Sequence, residues 1–503
     1  MTEQSTQSAT SLPGKNALIL RPLIFPKVER SRDGKILVKP GAGLQVKNRI
    51  FRSSISGQFD HYNGTGSEAR IRWEEKFARG GVGAIISSFV PVHIKGRILP
   101  RYAMIDRDNT IRFWSAVANR VEKFDGCKYI IQLSHGGRQR DIPGVENMME
   151  PGLSSTNKAD SFHGLLARAM NQDEIHEVIQ AFAAGARRAK EAGVHGVELH
   201  ASHGYLFTQF LSSAINDRTD EYGGSLANRA RFLIEVIKAI RAEVGWDYHV
   251  QAKINILDLN RALFPLEWKQ GNTVKEALQI FEWAEEAGLN GLHVSAGSTF
   301  PHPLVPPGGF PLDEASWWYG VMASSGKRAF SNLTLFHFPW LRWIFRSVWN
   351  RSKRAYPIEG VSSALCKLVK QAAIAHAKAR GDVVTKEEAQ LGWTAHIPVL
   401  NTGGYQDGAL IRRVITEGVC DGVAIARPLI ANNDLVNTYF RNGKDLPDKP
   451  CTFCNRCLLN ALANPLACYD QSRFTSRDEM IKEAMSVFPE IYEPSCPDET
   501  AHR

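Results

Sequence analysis

Two imidazoles three residues apart, followed by a glycine and a tyrosine, stand in the segment His200-Ala-Ser-His203-Gly-Tyr205. Such a trio offers two donors to a substrate oxygen and a phenol as a proton source. The plainer readings are satisfied structural histidines or a pair of metal ligands. Metal-dependent barrel hydrolases usually carry paired histidines in the first strand, and none occur in 48–53. Other polar groups also close apolar runs: Gln132 in Gln132-Leu-Ser-His135-Gly-Gly-Arg138, Gly403-Gly404 after 397–402, and Arg427 in Ala426-Arg427-Pro428. Exposed N–H groups of a glycine pair beside a guanidinium suit a phosphate, although two adjacent tight turns would leave the same trace. Lys253 lies inside the apolar run 249–255. An ammonium there needs an anionic partner or a path to the rim, and it could also serve a Schiff-base aldolase.

Four of the eight cysteines fall together, as Cys451-Thr-Phe-Cys454-Asn-Arg-Cys457 and then Cys468. The start of the chain is polar and lacks a basic-then-apolar leader, so export is not expected and a cytoplasmic location is. In that setting clustered thiols suggest metal before disulfides. An iron–sulfur cluster, a zinc site and reduced thiols all remain open.

These residues need elements to hold them. Eight short apolar runs recur at 48–53, 83–89, 128–134, 196–202, 249–255, 291–296, 397–402 and 422–427. Between most of them lie stretches with apolar residues at helical spacing, such as 173–192 and 228–244, with Gly193 and Gly245 as stops. Strand and helix in alternation imply parallel pairing with crossover helices. Eight nearly continuous apolar strands predict a closed (β/α)8 barrel, with a doubly wound open sheet as the alternative. In a barrel, chemistry collects at the C-terminal strand ends, which is where the polar residues above stand. The expected organisation is an N-terminal segment at 1–44, a barrel over 45–445 with an insertion at about 300–395, and a Cys-rich extension over 446–503.

The run from 196 to 244, with His200-Ala-Ser-His203-Gly-Tyr205-Leu-Phe-Thr-Gln-Phe-Leu and Asn216-Asp-Arg218-Thr-Asp220-Glu-Tyr222-Gly-Gly-Ser-Leu-Ala-Asn228-Arg229, closely resembles the Old Yellow Enzyme family of FMN-dependent ene-reductases. Lys47-Asn48-Arg49, Gly80-Gly81-Val82-Gly83, the Gln132 segment, Gly403-Gly404 and Ala426-Arg427-Pro428 extend the likeness. The resemblance implies that Ser53, Ser54, Ile55 and Ser56 line the flavin and that Gln132 bonds its pyrimidine ring. It further implies that Gly403, Gly404 and Arg427 hold the phosphate, with Ala426 also at the cofactor, that His200 and His203 grip a substrate carbonyl, and that Tyr205 gives the proton. NAD(P)H would be the reductant and an enone or enal the substrate. Lys253 stands where the family more often has arginine beside the flavin, which exchanges a bidentate fork for a point charge. Ser54 stands where many members have proline. The thiol spacing resembles that of the trimethylamine dehydrogenase and 2,4-dienoyl-CoA reductase branch, where a 4Fe-4S cluster is bound by residues like Cys451, Cys454, Cys457 and Cys468. That branch continues into flavin- and nucleotide-binding domains, whereas no G-x-G-x-x-G follows a strand here. An iron–sulfur flavoprotein dehydrogenase is therefore the alternative activity.

A 43% hydrophobic and 22% charged composition excludes wholesale disorder, collagen and coiled coil. The net charge of +9 is concentrated, because 321–380 holds eleven Lys/Arg and one acid, Glu359. The rest is near neutral, so nucleic acid is not an expected partner. In 336–354, Phe336, Phe338, Trp340, Trp343, Phe345 and Trp349 interleave with Arg342, Arg346, Arg351, Lys353 and Arg354. A packed arm, a lid over the active site and a peripheral membrane contact are the three readings of that pattern. The longest apolar stretch, 333–349, is interrupted by His337, Pro339, Arg342 and Arg346, so no transmembrane span is expected.

Overall fold

A computed structural model of the chain describes residues 14–30, 36–39, 43–55, 57–140, 150–160, 164–258, 271–297, 305–323, 327–354, 357–461 and 464–488. Ser56 falls outside them, and for Lys353 and Arg354 only the helical backbone is described.

Eight strands close into one barrel: β1 (Ile50–Arg52), β2 (Ala84–Pro91), β3 (Lys128–Ser134), β4 (Gly196–Ala201), β5 (His249–Asn255), β6 (Gly291–Ser295), β7 (Val399–Thr402) and β8 (Gly422–Ile425). Every neighbouring pair is parallel, and β8 returns to β1 with Val423 opposite Ile50. The eight runs read from the sequence are these eight strands. Burial on both faces of each strand explains why they read as continuous apolar runs and not as alternating ones.

The crossover helices include α1 (Glu68–Arg79), α2 (Ile111–Glu122), α3 (Gln172–Glu191), α4 (Leu226–Val244) and α5 (Val274–Glu286). Helix α3 opens on a capping box between Asn171 and Glu174, and α5 on one between Thr273 and Glu276. Gly193 and Gly245 end α3 and α4 with φ of +74° and +75°, a conformation that favours glycine. Each helix turns an apolar stripe to the strands, as Ile175, Val178, Phe182 and Ala186 do in α3.

Between β6 and β7 come three helices that a bare barrel lacks: α6 (Leu312–Val321), α7 (Lys327–His337) and α8 (Pro339–Arg354). The following helix α9 (Ser363–Arg380) packs on α5 and β7 as an ordinary crossover. The additional layer is therefore α6–α8, a smaller unit than the stretch about 300–395. Its inward side chains, Ala315, Trp318, Tyr319, Phe336, Phe345 and Trp349, form one apolar cluster with Phe89, Ile98, Leu99, Tyr102 and Leu459, and Tyr205 packs against it. This layer roofs the C-terminal end of the barrel. Among the described residues no helix is long and apolar enough to cross a membrane.

Candidate active site

A cavity of about 260 Å³ opens at the C-terminal strand ends. Its wall contains Ser53, Ser54 and Ile55 after β1, His200, His203 and Tyr205 after β4, and Lys253 on β5. Gly403 and Gly404 after β7 and Ala426 and Arg427 after β8 complete the set. Gln132 lies one layer behind, where its Oε1 accepts from Ser54 Oγ at 2.6 Å. Of the candidate flavin and substrate residues, only Ser56 lies outside the described chain.

The two imidazoles belong to a hydrogen-bonded chain. Ser134 Oγ is 3.3 Å from His200 Nδ1, His200 Nε2 is 3.1 Å from His203 Nδ1, and His203 Nε2 is 2.9 Å from Ser295 Oγ. Ser134 already donates to the carbonyl of Gln132 at 3.2 Å, so it must accept from His200 Nδ1–H. His200 Nε2 then accepts from His203 Nδ1–H, and His203 Nε2 accepts from the Ser295 hydroxyl. Burial, with Lys253 and His293 nearby and with His203 adding to the effect on His200, pushes both imidazoles well below their usual range, so both are neutral. His203 holds its place with a left-handed φ of +62°, and its N–H donates to the carbonyl of Gly297. The sequence suggested two free donors, whereas here each ring nitrogen already has a partner.

Tyr205 stands edge-on to His200 and Phe89, with ring centroids 4.7 and 5.0 Å apart. Its hydroxyl has no hydrogen-bond partner among the described residues. Burial, with Tyr102 adding to it, holds the phenol above its ordinary range, and hence protonated.

Beneath the cavity lies a polar hub that the sequence reading missed. Glu198 accepts from Gln132 Nε2 at 2.7 Å, Gln251 Nε2 at 2.6 Å and His293 Nδ1 at 2.7 Å. Burial alone would raise its carboxyl, but His293, Lys253 and these donors outweigh that and leave it below the usual carboxylate range. A glutamate in a fully buried strand was a signal as visible as Lys253. Among the described residues the Lys253 ammonium reaches only Ser53 Oγ, at 3.5 Å, and burial lowers it to about 8 against the pull of Glu198. Ser134, Ser295, Tyr102 and Trp318 were also missed, since serine hydroxyls and loop aromatics carry no local signature.

At the other end, the backbone N–H groups of Gly403, Gly404 and Arg427 donate to nothing among the described residues. Gly404 has a φ of +76°, and a Cβ there would strike the carbonyl of Ile358. These free amides at the cavity wall make an anion cradle. The Arg427 guanidinium instead donates to the carbonyl of Pro307 at 2.6 Å and to Asn455 Oδ1, and lies 5.1 Å from the centroid of Phe453. Arg427 is thereby also part of a second, small pocket lined by Cys451, Cys454, Cys457, Cys468 and Arg473. All four thiols are free. The amide of Phe453 donates to Cys451 Sγ at 3.4 Å and Arg473 to Cys468 Sγ at 3.2 Å. Burial raises the Cys451 thiol to about 11, so a thiolate there needs a cation. Among the described residues no three ligands are grouped to hold a single metal ion.

Residues 38–300 match the model of a family described as NADH:flavin oxidoreductase / NADH oxidase. The chain is 28% identical over 444 residues to an NADH oxidase of Thermoanaerobacter brockii, covering 85% of this chain and 56% of that one. It is 33% identical over 276 residues to an NADPH dehydrogenase of Halalkalibacterium halodurans, covering 54% and 76%. A solved 2-naphthoyl-CoA reductase complex superposes with a TM-score of 0.63 at 22% identity, over 88% of this chain and 54% of that chain. Histamine dehydrogenase from Rhizobium sp. 4-9 gives 0.57 at 20%, over 84% and 47%. The chain thus spans about half the length of these solved proteins, and the likeness to them is one of fold.

Proposed function

The chain belongs to the NADH:flavin oxidoreductase / NADH oxidase family, and from that premise we propose that it takes hydride from NADH or NADPH onto FMN and reduces the activated C=C bond of α,β-unsaturated carbonyl compounds. The observation that carries this reading is one cavity holding a neutral histidine pair, an unpartnered protonated phenol, a buried ammonium and an unpaired amide cradle.

The cavity fits a flavin mononucleotide by the chemistry of its donors. The amides of Gly403, Gly404 and Arg427 would hold one phosphate, and Lys253 with Ser53 and Ser54 would meet the polar edge of the ring, Gln132 supporting Ser54. The chain shows no second, dinucleotide-type phosphate motif, which favours FMN over FAD. Bound FMN would supply hydride acceptance and hydride donation. The protein's own part is to polarise and to protonate. A carbonyl oxygen wedged between His200 Nε2 and His203 Nδ1 meets two N–H groups if His200 carries its proton on Nε2. Ser134 then turns its hydroxyl from the Gln132 carbonyl to His200 Nδ1. Two donors there stabilise developing enolate charge, and Tyr205 delivers a proton to the α-carbon. Anaerobic stopped-flow of the FMN-loaded protein tests the reading: NADH or NADPH should bleach the flavin, and 2-cyclohexenone should restore its colour. Flavin that bleaches but is not reoxidised by enones would remove the ene-reductase activity and keep the family.

Lys253 makes the flavin step pH-dependent. In the flavin-free fold its pKa lies near 8, against 10.5 for the free side chain, because burial disfavours the ammonium. Between these values the unfolded chain binds more protons than the fold. The flavin-free protein therefore gains stability as pH rises from about 8 to about 10.5, by up to about 3 kcal/mol. A flavin that pairs with the ammonium takes up a proton on binding in this window. FMN affinity measured by fluorescence quenching should weaken with rising pH across it, and Lys253→Met should flatten that slope. A slope unchanged in the variant would separate Lys253 from the flavin.

The thiol pocket favours a second reading, an iron–sulfur flavoprotein dehydrogenase, in which Cys451, Cys454, Cys457 and Cys468 would hold a cluster. Anaerobically purified protein is then expected to carry about four iron and four sulfide per chain, and Cys457→Ser to lose both. Iron-free protein with reactive thiols would leave the pocket structural.

A further inference from the structure

The roof over the cavity has two apolar faces, and among the described residues only the inner one is covered. Helix α8 turns Phe345 and Trp349 inward, at 5% and 2% exposure, while Trp340, Trp343 and Ile344 on its opposite side are 63%, 70% and 44% exposed. Phe338 just before them, Phe330 on α7 and Trp317 and Val321 on α6 are also exposed. The three helices form one layer: Ser316 Oγ of α6 donates to the carbonyl of Phe336 on α7 at 2.8 Å, and Arg342 of α8 pairs with Asp313 of α6. All the exposed tryptophans among the described residues, Trp317, Trp340 and Trp343, lie on this layer. Scattered surface apolar groups need no explanation, but an aromatic cluster of this kind marks an interaction surface.

Charge identifies the occupant. Residues 327–354 contain seven Lys/Arg and no Asp or Glu. Lys327, Arg346 and Arg351 are exposed among the aromatics. Tryptophan and arginine together on a helical face match the headgroup zone of a lipid bilayer, where the rings sit at the interface and the cations meet anionic lipids. Because no described helix can span a bilayer, the contact is peripheral. We propose that the outer face of α6–α8 docks on an anionic membrane surface, which places the apolar roof of the cavity, with Trp318, Ile98 and Leu99, next to the lipid. An apolar substrate held in the membrane then reaches the cavity without crossing bulk water.

The test uses the full chain loaded with FMN and sedimented with vesicles of phosphatidylcholine alone or with 30% phosphatidylglycerol. Binding is expected with the anionic vesicles, reversed by high salt, and weak with phosphatidylcholine alone. Each cation at such a surface is worth about fivefold in partitioning, so Arg346→Gln/Arg351→Gln should weaken binding about 25-fold. The triple variant Trp340→Ser/Trp343→Ser/Ile344→Ser should also lose binding. It should retain its flavin and its reduction of a water-soluble enone, because these side chains touch neither. Brominated lipids should quench tryptophan fluorescence in the parent chain and much less in that variant. No sedimentation with anionic vesicles overturns the proposal. So does wild-type binding by either variant, or a concentration-dependent dimer that the triple variant abolishes, which would make the face a contact between copies.

Discussion

Tyr205→Phe is expected to slow enone reduction by about 10²- to 10⁴-fold while leaving flavin reduction by NAD(P)H within about twofold of the parent. The substitution removes one hydroxyl that has no hydrogen-bond partner among the described residues. The ring keeps its edge-on packing against Phe89 and His200, so the fold has no reason to change. Only the oxidative half-reaction consumes a proton at carbon, and rapid mixing resolves the two halves. Tyr102 is the control, since it also lines the cavity and raises the Tyr205 phenol. If Tyr102→Phe alone gives the large loss, the acid is Tyr102. Equal slowing of both half-reactions in Tyr205→Phe would make Tyr205 a binding residue.

The largest stability effect is expected at Glu198. Replacing it with alanine deprives Gln132, Gln251 and His293 of their shared acceptor at the barrel centre. A buried donor left without a partner costs about 1–3 kcal/mol, and the three are coupled, so we expect a loss of about 3–6 kcal/mol in urea unfolding. Glu198→Gln keeps the shape and one acceptor oxygen and should cost clearly less. Ser54 depends on Gln132 and Lys253 feels the Glu198 charge, so FMN retention should fall in the alanine variant as well. Unfolding at the parent's urea midpoint would show that water can replace the carboxylate.

The barrel was legible because parallel strands buried on both faces must be written as apolar runs, and each of the eight was found within a few residues of its place. Polar groups closing those runs pointed to one cavity for the same reason. Glu198 was passed over inside such a run, although Lys253 in the next strand was noticed. Its partners come from β3, β5 and β6, and only the register of the paired strands sets Gln132 and Gln251 on either side of it. The contact between His200 and His203 was equally hidden, since it depends on the left-handed backbone at His203 and on Ser295 from a distant strand. In the roof the aromatic content was plain. Which rings face inward was not, because α6, α7 and α8 settle that only by packing on one another and on Phe89, Ile98, Leu99 and Tyr102.

Imidazoles usually make a pocket responsive to acidity, but the chain from Ser295 through His203 and His200 to Ser134 does the reverse. With every ring nitrogen engaged and burial holding both imidazoles well below their ordinary range, and so uncharged, it is a fixed row of dipoles. The histidine pair thus behaves as an insulator against proton fluctuations in its surroundings. Turning its first half requires Ser134 and His200 to move together, a coupled event that a bound oxygen can drive while His203 and Ser295 stay as they are.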